Sequence, residues 1–347
     1  MNAPPTIPDS VAIPQQLVGP LRLTGPVLDE SLYAPLATYE TPLWASCNRG
    51  ARVTQHAGGI ETVIVRDCMA RSILLNAPGA RVAAECAAQI ESREEELAEI
   101  VAQTSRFARL KQLHIQVAAR SLFIRLSINS GDASGHNMVT LAADHATTWL
   151  LQQFPALQYV SVSGNLCTDK KASAINGILG RGKHVIAETN ISRKLCARFL
   201  NSTPEDIARL NHQKNYLGLV LAGGVATANA HFANMLLGFY LATGQDAANI
   251  IEGSQGTVTA EACDDGLYFA VTLPNVIVGA VGNGKHLPQT RANLDLLGCL
   301  AERPAGDNAR RLAAICAAVV LCGELSLLAA LTNRGELMAA HQKLERK

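Results

Sequence analysis

The sequence lacks most of what marks a nucleic-acid-binding, secreted or membrane-embedded chain. It has no excess charge of one sign: 30 Lys and Arg stand against 29 Asp and Glu, a formal charge of +1. Nothing electrostatic therefore draws in nucleic acid or an anionic membrane, and any anionic ligand must be held by local positive charge. There are nine cysteines but no CxxC pair, which argues against a zinc site or a disulfide scaffold; buried free thiols, no metal and a reducing compartment are expected. The opening MNAPPTIPDSVAIP has no basic residue and no apolar run, so neither a signal nor a transit peptide is expected, and the expected location is cytoplasmic. The most apolar stretch, ICAAVVLCGELSLLAAL, is interrupted by Gly323 and Glu324. It is marginal in length for crossing a bilayer and reads as a buried helix. A GxGxxG fingerprint, internal repeats and low-complexity tracts are also missing, which removes the usual sequence sign of a dinucleotide fold.

What is present is apolar substance. With 48% hydrophobic and 17% charged residues in 347, the chain can bury a large core, in one domain or two unequal ones. Residues 1–30, rich in Pro and Gly, read as an extended arm. A helix is expected after Thr41, because Pro42 suits a first turn, and the strand-like ETVIVRD follows it. RVAAECAAQIESREEELAEI reads as one amphipathic helix, with Glu94, Glu95 and Glu96 in solvent. Leu122, Ile124, Leu126 and Ile128 alternate at period two, which predicts a strand ending at SGDASGHNM. A helix through MVTLAADHATTWLLQQF and a short strand, LQYVSVS, complete this stretch. Residues 73–161 are thus expected to form a small α+β unit inserted between 1–72 and 162–347. In the latter part GTVTAEA and GLYFAVTLP read as strands, and ARRLAAICAAVVLCGELSLLAALTNRG reads as a long helix.

Several polar groups could carry chemistry. In SGNLCTDKKASAIN, Asp169, Lys170 and Lys171 are adjacent; a lysine beside a developing alkoxide can stabilise it, and a carboxylate can compensate the cation. Spacing alone favours a solvated ion pair. Asp246 closes GQD after a helical pattern that holds His231 and Asn234 at i,i+3. If it packs against Lys170 and Glu40, the three form a network that can move a proton. The glycines of SGDASGHN and VGAVGNGKH make either tight turns or cofactor contacts. Arg106, Arg109 and Lys111 form either a phosphate site or a solvated face. His341 is either a surface group or an acid suited to protonating a departing thiolate. Cys167 with His231 leaves an acyl-transfer alternative open.

Read together and in order, LATYETPLWASCNRG, MARS, TSRFARLKQLH, SGDASGHNM, SGNLCTDKKASAIN, NAHFANMLLGFYLATGQDAANI, GTVTAEA, LPNVIVGAVGNG, LDLLG and CGELSLLAAL followed by LMAAH resemble hydroxymethylglutaryl-CoA reductases. The resemblance runs from about residue 13 onward. It implies an α+β fold, with a large substrate-binding domain and an inserted small ferredoxin-like dinucleotide-binding domain. The implied reaction reduces 3-hydroxy-3-methylglutaryl-CoA to mevalonate and CoA, by two hydride transfers from NADPH through a thiohemiacetal and mevaldehyde. Glu40, Lys170, Asp246 and His341 would be catalytic. Arg49, Arg71, Asp169, Lys171 and Asn234 would bind substrate, with Arg49 on the coenzyme A side. Ser105, Arg106, Asp132, Ala133, Ser134, Gly135, His136, Asn137 and Met138 fall where the family contacts its dinucleotide. Ser105 followed by Arg106 looks like the NADPH-accepting form, since an arginine neutralises a 2′-phosphate; NADH remains the alternative donor.

The resemblance further implies a homodimer as the minimal active unit, often within a tetramer. The anchor of animal members is not in this sequence, so a soluble catalytic module is expected. Three departures stand out: TTEG is TYET here, DAMGMN is DASGHN, and the serine before the terminal histidine is Ala340. The same chemistry run oxidatively with NAD, a different acyl-CoA reductase and an inactive ligand-binding relative are the alternatives.

Overall fold

The computed structural model describes residues 11–345. Its ten strands are β1 (Gln15–Thr24), β2 (Glu30–Ala37), β3 (Ile60–Asn76), β4 (Arg109–Ala118), β5 (Ser121–Asn129), β6 (Gln158–Ser161), β7 (Gly182–Ser192), β8 (Thr227–Ala228), β9 (Gly256–Cys263) and β10 (Gly266–Val276). They form a mixed α/β fold in which one path of the sheet runs β2-β1-β3-β7-β10-β9-β8.

The 17-residue β3 belongs to two sheets. Up to Cys68 it pairs antiparallel with β7; from Met69 to Asn76 it pairs antiparallel with β5, and at its end with β6. Because β4 pairs with β5, a second four-strand order, β4-β5-β3-β6, branches off the first. The changeover at Met69 falls inside a continuous strand rather than in a linker.

Each part of the sheet has its own buried cluster. The second contains Ile73, Leu75, Leu122, Ile124, Leu126 and Ile128, covered by helices Ala80–Ser92, Glu94–Ala102 and His136–Gln153. The first is built around the helix Asp307–Thr332, packed against helix Pro42–His56 and against β7 and β10. This 26-residue helix is long and apolar enough to cross a membrane, yet 94% of its most apolar window lies inside the fold. It is a core helix. Gly50 lets it approach: a Cβ there would stand 2.1 Å from the Cys322 carbonyl oxygen, so no other residue fits without parting the helices. All nine cysteines are free thiols, and Cys263 alone among them is exposed.

Two sequence expectations are corrected. The stretch read as an arm is structural from Gln15 onward, since Val18, Leu21 and Leu23 are fully buried and β1 pairs with both β2 and β3; residues 1–10 lie outside the described residues. Proline is tolerated here because Pro20 sits at a break in the β1–β2 register. The single amphipathic helix is two helices meeting at Arg93, which ends one and begins the next at φ −113°. The Arg93 guanidinium bonds to Glu96 and Gln153 and lies 4.8 Å from the Trp149 ring centre. The break turns Leu97 and Val101 into the second core, a tertiary gain that outweighs local helix continuity.

Candidate active site

The segment between β6 and helix Ala174–Leu179 carries the central lysine. Asn165, Thr168 and Lys170 all have positive φ, at 63°, 36° and 56°. Side chains disfavour that region, so the surroundings must hold it. The Lys170 amide donates to Glu252 Oε1 at 3.2 Å, Thr168 and Ser173 hydroxyls meet at 2.6 Å, and Asn176 Nδ2 donates to the Thr168 carbonyl at 3.1 Å. Lys170 Nζ then stands 2.7 Å from Asp246 Oδ2. Asp246 is itself fixed, because its Oδ1 accepts from the Ala248 amide at the start of a helical turn. The hydrogen bond to Asp246 raises the Lys170 pKa. For Asp246, burial works upward, but the Lys170 hydrogen bond and the Ala248 amide outweigh it and the carboxyl pKa is lowered. Lys170 is therefore a charged donor at neutral pH, suited to an oxygen that gains negative charge.

Beneath the pair lies a buried ionic layer. Arg181 reaches Asp169 at 2.9 Å and Glu252 at 2.7 Å, and the Arg181 and Glu252 side chains are fully buried. Burial raises the Glu252 pKa, with the Arg181 charge pulling the other way. Arg71 donates to Thr140 Oγ1 at 3.1 Å and to Ser163 Oγ at 3.4 Å, with Asp169 at 4.0 Å. Lys171 is exposed and donates to the Asp169 carbonyl.

Over these groups opens a cleft of about 480 Å³, lined also by Ala133–Met138 and by Val281–Asn283 and Lys285. Gly135, at φ +97°, begins the 18-residue helix His136–Gln153, and no side chain caps it. The first-turn amides of a helix have no intrahelical acceptor and favour an anion. His136 lies 4.0 Å from Asp169 through Nε2 and 3.4 Å from Ser134 Oγ through Nδ1. Burial, with the Arg181 charge, pushes its pKa down to about 4, so the ring is neutral at neutral pH.

Not all expected site residues share this cleft. Asp132 does not line the cleft: its two carboxylate oxygens accept the Gly306 and Ala309 amides at 3.0 and 2.9 Å, capping the core helix Asp307–Thr332. Ser105 Oγ accepts the Phe107 amide, and Arg106 stacks over the Phe107 ring at 4.5 Å. Phe107 is also the neighbour of Gly131, so this turn abuts the DASGHN segment. Glu40 and Asn234 meet at 3.1 Å in a separate cavity of about 210 Å³. Arg49 and His341 line a third, of about 160 Å³, where Arg49 is bonded to Glu336 at 2.6 Å and to the Phe199 and Leu200 carbonyls. Within one chain, then, Lys170 joins Asp246 but not Glu40 or His341.

The acyl-transfer alternative is overturned. His231 Nδ1 is 2.7 Å from Glu324 Oε1, and both Glu324 oxygens also take backbone amides. Cys167, 1% exposed, lies near Arg125 instead, while the His231 ring is engaged by Glu324. Sequence reading passed over Arg181 and Glu252, whose pairing spans 71 positions. It also passed over Lys285, whose only signal was the glycines around it.

A lysine able to polarise a carbonyl, set in a cleft beside an open helix N-terminus, suits a carbonyl-reducing oxidoreductase. The chain belongs to the hydroxymethylglutaryl-coenzyme A reductase family, whose profile matches residues 9–346. A 3-hydroxy-3-methylglutaryl-coenzyme A reductase of Pyrococcus horikoshii is 42% identical over 339 residues, spanning 97% of this chain and 82% of its own. One from Methanocaldococcus jannaschii is 39% identical, spanning 97% and 83%. In fold, the chain matches a class II 3-hydroxy-3-methylglutaryl-CoA reductase from Streptococcus pneumoniae, described as bound to NADPH in open conformations. The TM-score is 0.75, at 21% identity over 94% of this chain and 77% of that one.

Proposed function

We propose that the chain converts 3-hydroxy-3-methylglutaryl-CoA, two NADPH and two protons to mevalonate, CoA and two NADP+. The observation that carries the reading is the Lys170–Asp246 pair, 2.7 Å apart inside the cleft. The residues present fit a dinucleotide: the cleft volume is of ligand size, and an uncapped helix N-terminus and cationic side chains line it. When bound, NADPH supplies the hydride for each reduction. Lys170 stabilises the oxyanion of the thiohemiacetal and later polarises the mevaldehyde carbonyl, while Asp246 keeps the ammonium charged and placed. His341 protonates the leaving CoA thiolate, with Arg49 on the coenzyme A side. Glu40, oriented by Asn234, delivers a proton to the second alkoxide. Arg71, Asp169 and Lys171 hold the acyl end.

Because Glu40 and Lys170 lie in different cavities of one chain, the complete site is assembled between two copies, and a homodimer is the minimal active unit. Residues 73–161 act as the inserted dinucleotide-binding domain. Its order of β3, helices, β4, β5, helix and β6, with β3 next to β5, supports a ferredoxin-like reading. Residues 1–72 and 162–347 form the substrate domain, and the protein works in the cytoplasm.

A steady-state assay with 3-hydroxy-3-methylglutaryl-CoA, run with NADPH and with NADH, tests this. Two dinucleotides oxidised per CoA released are expected. Substrate binding without turnover in either direction would refute it.

A further inference from the structure

Lys285 is a cation without a counterion in the cleft. Of the five charged side chains that line it other than His136, Lys170 is matched by Asp246 at 2.7 Å, and Arg71 faces Asp169 at 4.0 Å. Lys285 Nζ instead donates to the carbonyl oxygens of Gly244 and Asn283. Among the described residues no carboxylate lies within 4.0 Å of it. Burial pushes its pKa down to about 8, against the partial help of the Asp246 charge. A purely structural tie to two carbonyls needs only a neutral donor. A partly buried ammonium with carbonyl partners alone is a standing electrostatic cost, which an arriving anion removes.

The anion can be placed by what faces the same space. His136, Asn137 and Met138, the first turn of the uncapped helix, line the cleft together with Lys285. The two segments are locked to each other. Ala133 bridges to Val281, the Ala280 amide donates to the Asp132 carbonyl at 2.8 Å, and a Cβ on Gly279 would meet the Ser134 nitrogen at 2.4 Å. Lys285 and the helix terminus are thus preset on a rigid frame, one offering a point charge and the other backbone donors. For hydride to reach a carbonyl held by Lys170, the nicotinamide must lie in this cleft, and the diphosphate is the next charged group along the dinucleotide. Arg106, outside the cleft lining, is left for the far end.

Resting on the proposed reduction, we propose that Lys285 is a binding residue for the dinucleotide diphosphate, acting with the His136–Met138 amides. It contacts a group common to NADPH and NADH and so sets affinity rather than the choice between them.

The test is a fluorescence titration of NADPH and of NADH against the full-length protein, its Lys285→Thr variant and its Lys285→Arg variant. A lost charged hydrogen bond weakens binding by about tenfold to a hundredfold. That loss is expected in Lys285→Thr for both dinucleotides, with their ratio unchanged, a shallower dependence on salt, and recovery in Lys285→Arg. Unchanged binding in Lys285→Thr overturns the inference. So does a loss confined to NADPH, which would move Lys285 to the 2′-phosphate, or an equal loss in Lys285→Arg, which would make its role packing. If the unaltered protein binds neither dinucleotide, the proposed reduction itself fails, and the inference with it.

Discussion

The Lys170 ammonium stands 2.7 Å from the Asp246 carboxylate, while Glu40 lies in another cavity, 3.1 Å from Asn234. The two halves of the proposed proton-handling network therefore sit at different places on a single chain. The proposed dimer makes a sharp genetic expectation. Glu40→Ala and Lys170→Ala should each lower kcat by at least about a hundredfold. Mixing the two inactive proteins under subunit exchange should restore activity, because each mixed dimer regains one intact site. Mixtures as inactive as their parents would place Glu40 and Lys170 in the same subunit's site.

His341 lines a cavity with Arg49, not with Lys170. If it protonates the thiolate alone, His341→Ala should slow thioester reduction by about a hundredfold or more and spare reduction of free mevaldehyde. Measuring the two half-reactions separately decides the matter, and equal losses would remove His341 from that role.

Asp132 accepts the Gly306 and Ala309 amides at the head of the core helix. Asp132→Ala should cost about 1–2 kcal/mol of stability, the size of a lost cap with its favourable dipole contact. Urea unfolding measures this. Dinucleotide affinity should fall as well, because the same residue anchors Ala133 and Ser134; an unaltered unfolding midpoint would contradict the capping role.

His136 has a folded pKa of about 4, below the roughly 6.5 of an unfolded histidine. Between those values the unfolded chain binds more protons, so stability rises with pH through the window. The contribution is fully present above about pH 6.5 and is lost as pH falls toward 4, with a ceiling of about 3 kcal/mol. In His136→Met, unfolding free energies at pH 5 and pH 7.5 should differ less than in the unaltered protein. An identical difference would mean that the ring is already solvated when folded.

Local pattern was enough to read the helix after Thr41, the strand through Leu122–Ile128, the helix after SGDASGHNM and the buried helix around Glu324, all of which are present. Periodicity and proline placement act over a few residues, so they survive without tertiary context. Two errors had tertiary causes: Arg93 breaks a helix to reach Gln153 and Trp149, and Val18, Leu21 and Leu23 form a strand because β2 and β3 receive them.

The site divides the same way. Motif order brought out Lys170, Asp246 and the helix terminus that follows Gly135, because their types and sequence neighbours are local properties. What chain order could not carry was partnership. Whether Asp132 meets a cofactor or a helix end, whether Arg181 finds Glu252, and whether Lys285 finds a carboxylate depend on distances of a few ångströms between segments far apart in sequence. Composition and pattern determined which elements form and which side chains are able to do chemistry. Packing the two cores along β3 decided which charges are neutralised and which face the cleft, because electrostatic energy depends on separation and burial, and only the folded chain sets those.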